Sequence, residues 1–167
     1  VLEILPTFTP YVCLIFANTR EQASSMANLM RENNYPVIEL HGDLSSRERM
    51  KAMKQLANID KPYVVATDIA ARGIDIEGIS HVISMGFPKD LDYYIHRAGR
   101  TGRAGKDGIC YALYVKKEDQ FIRQLEVRGT HFDHQNVKNG QWVTLEPLHK
   151  KKTRRDNPLE KEKAVVL

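Results

Sequence analysis

Tyr11-Val12-Cys13-Leu14-Ile15-Phe16-Ala17, followed at once by Asn18-Thr19-Arg20-Glu21-Gln22, is the stretch that decides the fold. The first part is an unbroken apolar run, as expected of a strand buried on both faces. The second has capping-box form, Thr19-x-x-Gln22, and opens a helix whose apolar stripe is Ala23, Met26, Ala27 and Met30. The same grammar repeats downstream. Val37 to Leu40 is a short second strand, His41-Gly42-Asp43 is a turn, and Ser45-x-x-Glu48 opens a helix with Met50, Met53 and Leu56 on one face. Tyr63 to Ala66 is a third strand with Thr67-Asp68 at its carboxyl end. His81 to Met85 and Ile109 to Val115 are the fourth and fifth, and a helix from about Lys117 to Arg128 stops at Gly129. Strands alternating with helices predict an α/β domain in three layers, with a mostly parallel central sheet and right-handed crossovers. Ligands of such sheets bind beyond the carboxyl ends of the strands.

Composition sets the frame. The chain has 167 residues, 42% apolar and 28% charged, as in an ordinary globular domain. It has no apolar run long enough for a membrane helix, no signal-peptide pattern, and no Cys/His pair at zinc-ligand spacing. Cys13 and Cys110 lie in apolar runs and are expected as free buried thiols, which suits the cytoplasm. Because the chain starts at Val1 without an initiator Met, it is expected to be part of something longer. The net charge of +4 is unevenly placed. Residues 1–148 hold 18 basic and 18 acidic residues, whereas 149–167 hold seven and three. Domain boundaries are expected at 1–129 for the α/β unit and 130–148 for an extension packed on it. A basic, disordered tail is expected over 149–167. Within the extension, 141–148 is expected to form an extra strand or docked segment, with Trp142 as packing.

Two stretches carry chemistry. Tyr94 to Gly105 reads Tyr-Ile-His-Arg-Ala-Gly-Arg-Thr-Gly-Arg-Ala-Gly. Leu91, Tyr94, Ile95 and Ala98 recur at helical spacing, so a helix, capped by Asp90, enters a glycine-punctuated loop carrying Arg97, Arg100 and Arg103. A guanidinium fork fits phosphate oxygens and keeps its charge. The plainer reading is a solvated basic loop, and the alternation of Arg with Gly argues against it. Val64 to Asp75 delivers Thr67 and Asp68 to a sheet edge, then Arg72-Gly73, then a carboxylate, Asp75, able to accept from a sugar hydroxyl.

His96 to Arg103 resembles the last motif of superfamily 2 helicases, His-Arg-x-Gly-Arg-x-Gly-Arg, in the DEAD-box version. Thr67 to Asp75 resembles the fifth motif of that family, and Leu14 to Arg20 the fourth. His41-Gly42-Asp43-Leu44 with Arg49 resembles the motif that follows the fourth, although Ser46 stands where the family has Gln. The four occur in the family's order. The resemblance is to the second RecA-like domain of a bacterial DEAD-box ATP-dependent RNA helicase, and it covers residues 1 to about 129.

It implies that Arg100 and Arg103 are catalytic arginine fingers and that Gly73, Asp75, Arg100 and Arg103 bind ATP. It implies that Thr19, Gly42, Arg49 and Thr67 bind RNA, and that Asp68, Arg72, His96 and Arg97 couple the two domains. No metal ligand is expected here. ATP with Mg²⁺ would be held mainly by the N-terminal RecA-like domain of the same protein, since the chain has no Gly-x-x-x-x-Gly-Lys-Ser/Thr and no Asp-Glu-Ala-Asp. The expected function is local, ATP-driven unwinding of RNA duplexes, with this chain inactive alone. Partners are RNA and that N-terminal domain, not a membrane. The alternatives are half of a superfamily 2 DNA translocase and a non-catalytic RNA-binding module.

Overall fold

The computed structural model describes residues 1–72, 75–103, 105 and 107–146, and the backbone of 163–166. Strands β1 (Val12–Ala17), β2 (Val37–Leu40), β3 (Tyr63–Thr67), β4 (Ile79–Met85) and β5 (Ile109–Leu113) form a parallel sheet in the order β2-β3-β1-β4-β5. Helices α1 (Arg20–Glu32), α2 (Ser46–Leu56), α3 (Asp68–Ala71), α4 (Leu91–Ala98) and α5 (Asp119–Val127) connect and flank it.

Alternate residues of the central strands feed two cores. Cys13, Ile15, Val65, Ile83 and Tyr111 share one face of the sheet and one core with Ala23, Ala27 and Met30 of α1. Leu14, Phe16, Val64, Val82 and Ala112 face the other four helices through Ala52, Ala70, Leu91, Tyr94, Ile122 and Leu125. The result is the expected three-layer αβα arrangement. The unbroken apolar runs of β1 and β3 follow from their position, since both are covered on each face. Strand β2 alternates half-buried and buried residues because it lies at the sheet edge.

Caps form as the sequence predicts. The Thr19 hydroxyl accepts from Gln22 N at 3.1 Å, and Asp90 accepts from Asp92 N at 3.0 Å. Ser45 and Glu48 close a reciprocal capping box. The Ser45 hydroxyl and backbone N–H hold the Glu48 carboxyl below its ordinary range.

Ahead of β1, a 3₁₀ turn spans Leu5–Thr7, with Pro6 where its missing N–H is tolerated. Several expectations are corrected. Met50 is 56% exposed, because α2 packs through Ala52, Met53 and Leu56 instead. Ile95 is likewise 44% exposed, and its place on the packed face of α4 is taken by Arg97. Beyond Gly129 the structure adds β6 (Phe132–Lys138), a strand absent from the sequence expectation. It pairs antiparallel with β7 (Gln141–Thr144) through Asn139-Gly140, both at positive φ. Residues 163–166, expected within a disordered tail, form β8 (Lys163–Val166), whose backbone pairs parallel with β5 and β6. The rest of the tail lies outside the described residues.

Trp142 packs as expected: its ring stacks on Tyr111 at 5.4 Å and 6°. Tyr111 belongs to an aromatic stack with Phe8 and His81, in which Phe8 and His81 lie 4.3 Å apart. This stack covers the sheet face that α1 leaves open at β4 and β5. Among the described residues, no helix is long and apolar enough to cross a membrane.

Candidate nucleotide and nucleic-acid interface

The strand order reverses between β1 and β4, where the connection out of β1 runs one way and that out of β4 the other. Arg97 fills this crevice. It is 1% exposed, and all five of its N–H donors are used. Nε donates to Asp68 Oδ1 at 2.7 Å and Nη2 to Asp68 Oδ2 at 2.6 Å. Nη1 donates to the Ser84 hydroxyl at 2.7 Å and to Gly86 O at 3.3 Å. Nη2 also donates to Asn18 Oδ1 at 2.8 Å. One side chain on α4 therefore ties together the carboxyl ends of β1, β3 and β4. The guanidinium also lies over the Phe16 ring, 5.3 Å from its centroid. Asp68 is thereby committed to a bidentate pair inside the domain.

Outside this plug lies a cleft of about 250 Å³, lined in part by Asp68, Arg72, His96, Arg97, Arg100 and Arg103. Arg72 packs over the Tyr93 ring at 4.6 Å. A neighbouring notch brings Asp75 together with Arg100 and Arg103, over Leu14, Ala71 and Ile79. Among the described residues, the side chains of Arg100 and Asp75 have no hydrogen-bond or ion-pair partner. Arg103 Nε donates to Gly99 O at 2.7 Å, which curls the loop back onto the helix end. Gly102 and Gly105 sit at φ +68° and +75°, so the turn that carries Arg103 needs left-handed backbone on either side of it. Thr101, between Arg100 and Gly102, is buried and donates its hydroxyl to Ile79 O at 2.7 Å, anchoring the loop to β4. The anchored loop, the Arg100 guanidinium and the nearby carboxylate form a donor and acceptor set suited to a phosphate chain and a ribose. Gly73 lies outside the described residues.

The second group of predicted residues stands along the same edge of the sheet but does not line these two cavities. Thr67 pairs in register with Ala17, and Ala66 with Leu40, so Thr19, Gly42 and Thr67 follow three adjacent strand ends. Thr19 and Gly42 are exposed, Arg49 is half-buried, and Thr67 is buried. The His41-Gly42-Asp43 turn is held from both sides. Asp43 pairs with Arg20 of α1, and its N–H donates to His41 Nδ1 at 3.3 Å. His41 Nε2 lies 3.3 Å from Glu39, which also accepts from Ser24 and, at 3.3 Å, from Arg31. Gly42 has no positive φ, and a Cβ placed there would meet nothing within 4 Å. The protein's own packing gives no reason for glycine at that point.

Sequence reasoning missed Asn18 and Ser84, which hold Arg97 in place. A polar residue at the end of an otherwise apolar strand was the available signal.

The chain is similar to known proteins. Residues 2–105 match the model of the helicase conserved C-terminal domain. The DEAD-box ATP-dependent RNA helicase CshB of Listeria monocytogenes is 48% identical over 152 residues, 91% of this chain and 35% of the relative. CshB of Bacillus subtilis is 39% identical over 158 residues, 95% of this chain and 36% of the relative. The chain thus spans about a third of the length of the curated relatives it matches. Among solved structures, the Escherichia coli DEAD-box protein SrmB bound to regulator of ribonuclease activity A superimposes with a TM-score of 0.63 at 33% identity, covering 74% of this chain and 72% of that one. Domain 2 of the DEAD-box helicase Mss116p, bound to an RNA duplex, also gives 0.63 at 33% identity, covering 71% and 48%.

Proposed function

Because this chain belongs to the helicase conserved C-terminal domain family, among the DEAD-box proteins, we propose that it is the second half of an ATP-dependent RNA helicase. Its partner is the N-terminal RecA-like domain of the same protein, and its substrates are RNA and ATP with Mg²⁺. The observation that carries this reading is the convergence of Asp75, Arg100 and Arg103 on one notch, with Arg100 and Asp75 unpartnered among the described residues. ATP, when bound between the domains, supplies the phosphoryl group whose transfer to water drives the cycle.

This chain's residues supply the second wall. Asp75 accepts from the ribose. Arg100 and Arg103 face the terminal phosphate, where planar donors stabilise spreading negative charge. Their positive charge is useful only once the domains close, so hydrolysis is tied to closure. Thr19, Gly42, Arg49 and Thr67 hold the RNA backbone, which positions RNA without reading its sequence. Exposed His96 and Arg72 couple the two sites across the domain interface, while Arg97 and Asp68 order that interface from behind. Unwinding takes place in the cytoplasm.

The test joins this domain to its N-terminal partner and measures ATP turnover at saturating RNA beside RNA affinity without nucleotide. Arg100→Ala or Arg103→Ala should reduce turnover at least about 100-fold and leave RNA affinity nearly unchanged. Arg100→Lys should rescue poorly, since lysine lacks the planar fork. Arg49→Ala should weaken RNA binding first. Normal turnover with abolished RNA binding in the Arg100 and Arg103 variants would overturn this division of the surface. The DNA-translocase alternative is separated by comparing RNA with DNA as the stimulating strand.

A further inference from the structure

Helix α2 is unlike the other helices in charge. It carries Arg47, Arg49, Lys51 and Lys54 against a single acid, Glu48. By contrast α1 has two of each sign, α4 one of each, and α5 one base against two acids. The imbalance matters because residues 1–148 as a whole carry equal numbers of each charge. Glu48 is occupied by the cap, accepting from the Ser45 N–H at 2.8 Å and from its hydroxyl at 2.7 Å. Among the described residues, none of the four α2 cations makes an ion pair or a side-chain hydrogen bond, whereas Arg20, Arg31, Arg97 and Arg128 all do.

Three of these cations form a ridge. Arg47, Lys51 and Lys54 stand at i, i+4 and i+7 and are all exposed. Their Cα atoms span about 10 Å along the helix axis. Met50 shares this face at 56% exposure, opposite the packed Ala52. Burial therefore does not explain why the face looks as it does, and its charges repel one another with no internal compensation. The ridge starts one turn beyond His41-Gly42-Asp43 and leads away from the strand ends along the flank of the domain.

We propose that the exposed face of α2 is a second RNA-backbone surface. Arg47, Lys51 and Lys54 take the phosphates of the RNA segment flanking the one held at Thr19, Gly42 and Thr67. This rests on the RNA reading above and extends it outward from the strand ends. A nucleic-acid strand carries a phosphate every few ångströms, so a cation per helical turn can follow it without base contacts. The apolar Met50 between them suits the sugar face. The flanking segment can be single-stranded or duplex, and the phosphate chemistry is common to both.

The experiment uses the 167-residue chain with Arg47→Gln, Lys51→Gln and Lys54→Gln combined. These side chains are exposed and, among the described residues, unpaired, so the thermal midpoint should not fall and relief of their mutual repulsion can only raise it slightly. Binding is measured against salt for a short single strand covering only the strand ends, a longer single strand, and a hairpin with a single-stranded overhang. The short strand should bind the variant as it binds the parent. The longer RNAs should bind more weakly, with a log–log salt slope smaller by about 2 when three phosphates of a single strand are no longer neutralised. Whichever of the long strand and the hairpin is weakened more identifies the flanking segment. Unchanged affinity and slope for both long RNAs would overturn the ridge, as would an equal weakening on the short strand, which would make α2 part of the edge site. Arg49→Ala on the short strand judges the edge reading separately. If that variant binds the short strand normally, the edge assignment fails while the ridge is still decided by the long-RNA slope.

Discussion

Arg97 and Gly42 show how far a side chain's role can depart from its type. Arg97 sits in a motif of evenly spaced arginines, and spacing treats the three alike. Depth separates them. Acceptors from Asn18, Asp68, Ser84 and Gly86 surround the first, while the third is exposed and the second half-buried. Acceptors that come from residues 11 to 79 positions away cannot be read from a local string. Arg97→Ala leaves Asp68 beside a cavity without its cation and should cost about 3 kcal/mol or more in urea unfolding. Arg97→Lys should recover little, because one ammonium cannot reach all these acceptors. Gly42 is the opposite case. The family resemblance implied that it is a ligand contact, and the packing supplies no competing reason for glycine. Gly42→Ala should leave the melting temperature unchanged or slightly raised. RNA affinity should nevertheless fall, because the methyl group would stand between backbone and phosphate. An equal drop in stability and binding would show that the glycine is structural.

Elements are most legible where one physical signal acts alone. Strands β1 and β3 announce themselves by unbroken apolar runs, and α1 and α2 by their caps. The second hairpin strand is visible at 141, but β6 is not, because its residues alternate weakly with many polar groups. The signal that could have found it is Asn139-Gly140, a pair suited to two successive positive φ values in a tight hairpin turn. Strand β4 carries an element-level pH dependence. His81 is buried in the stack with Phe8 and Tyr111, and burial lowers its pKa from the ordinary 6.5. The folded chain therefore favours the neutral ring. Its contribution to stability is complete above about pH 6.5 and is lost as pH falls through the lower folded value, because the unfolded chain takes up the proton first. His81→Phe keeps the stack and removes the titration. The drop in melting temperature between neutral pH and about pH 5 should be smaller in this variant than in the parent.

At the scale of the whole molecule, charge is the property that composition describes least well. The overall +4 hides a balanced body and a basic end. Lys150, Lys151, Lys152, Arg154 and Arg155 are crowded in sequence and should supply much of the RNA affinity of this chain. Deleting 149–167 should weaken RNA binding and flatten its salt dependence by roughly 0.7 for each phosphate that the tail had neutralised. The same deletion removes β8 from between β5 and β6, so a thermal melt alongside the titration separates missing charge from a loosened sheet. Domain-level architecture is legible because alternation of strand and helix permits few topologies. The proposed division of the site between two ligands rests only on the motifs, since nothing in local periodicity distinguishes one loop at a sheet edge from another.

The plugged crevice has a consequence for how this domain comes apart. Three strand ends share a single tether on α4, so none of them can fray independently while the tether holds. Withdrawing the short helix takes one donor from all of these acceptors at once, and the loop beyond it loses its footing in the same event. The edge of the sheet should therefore open as one cooperative unit, with the amides around Asn18, Asp68, Gly86 and Arg97 exchanging their hydrogens at a common rate. A surface proposed to meet two ligands at different places is thus governed by one local equilibrium, and heat or denaturant should silence both faces before the rest of the domain unfolds.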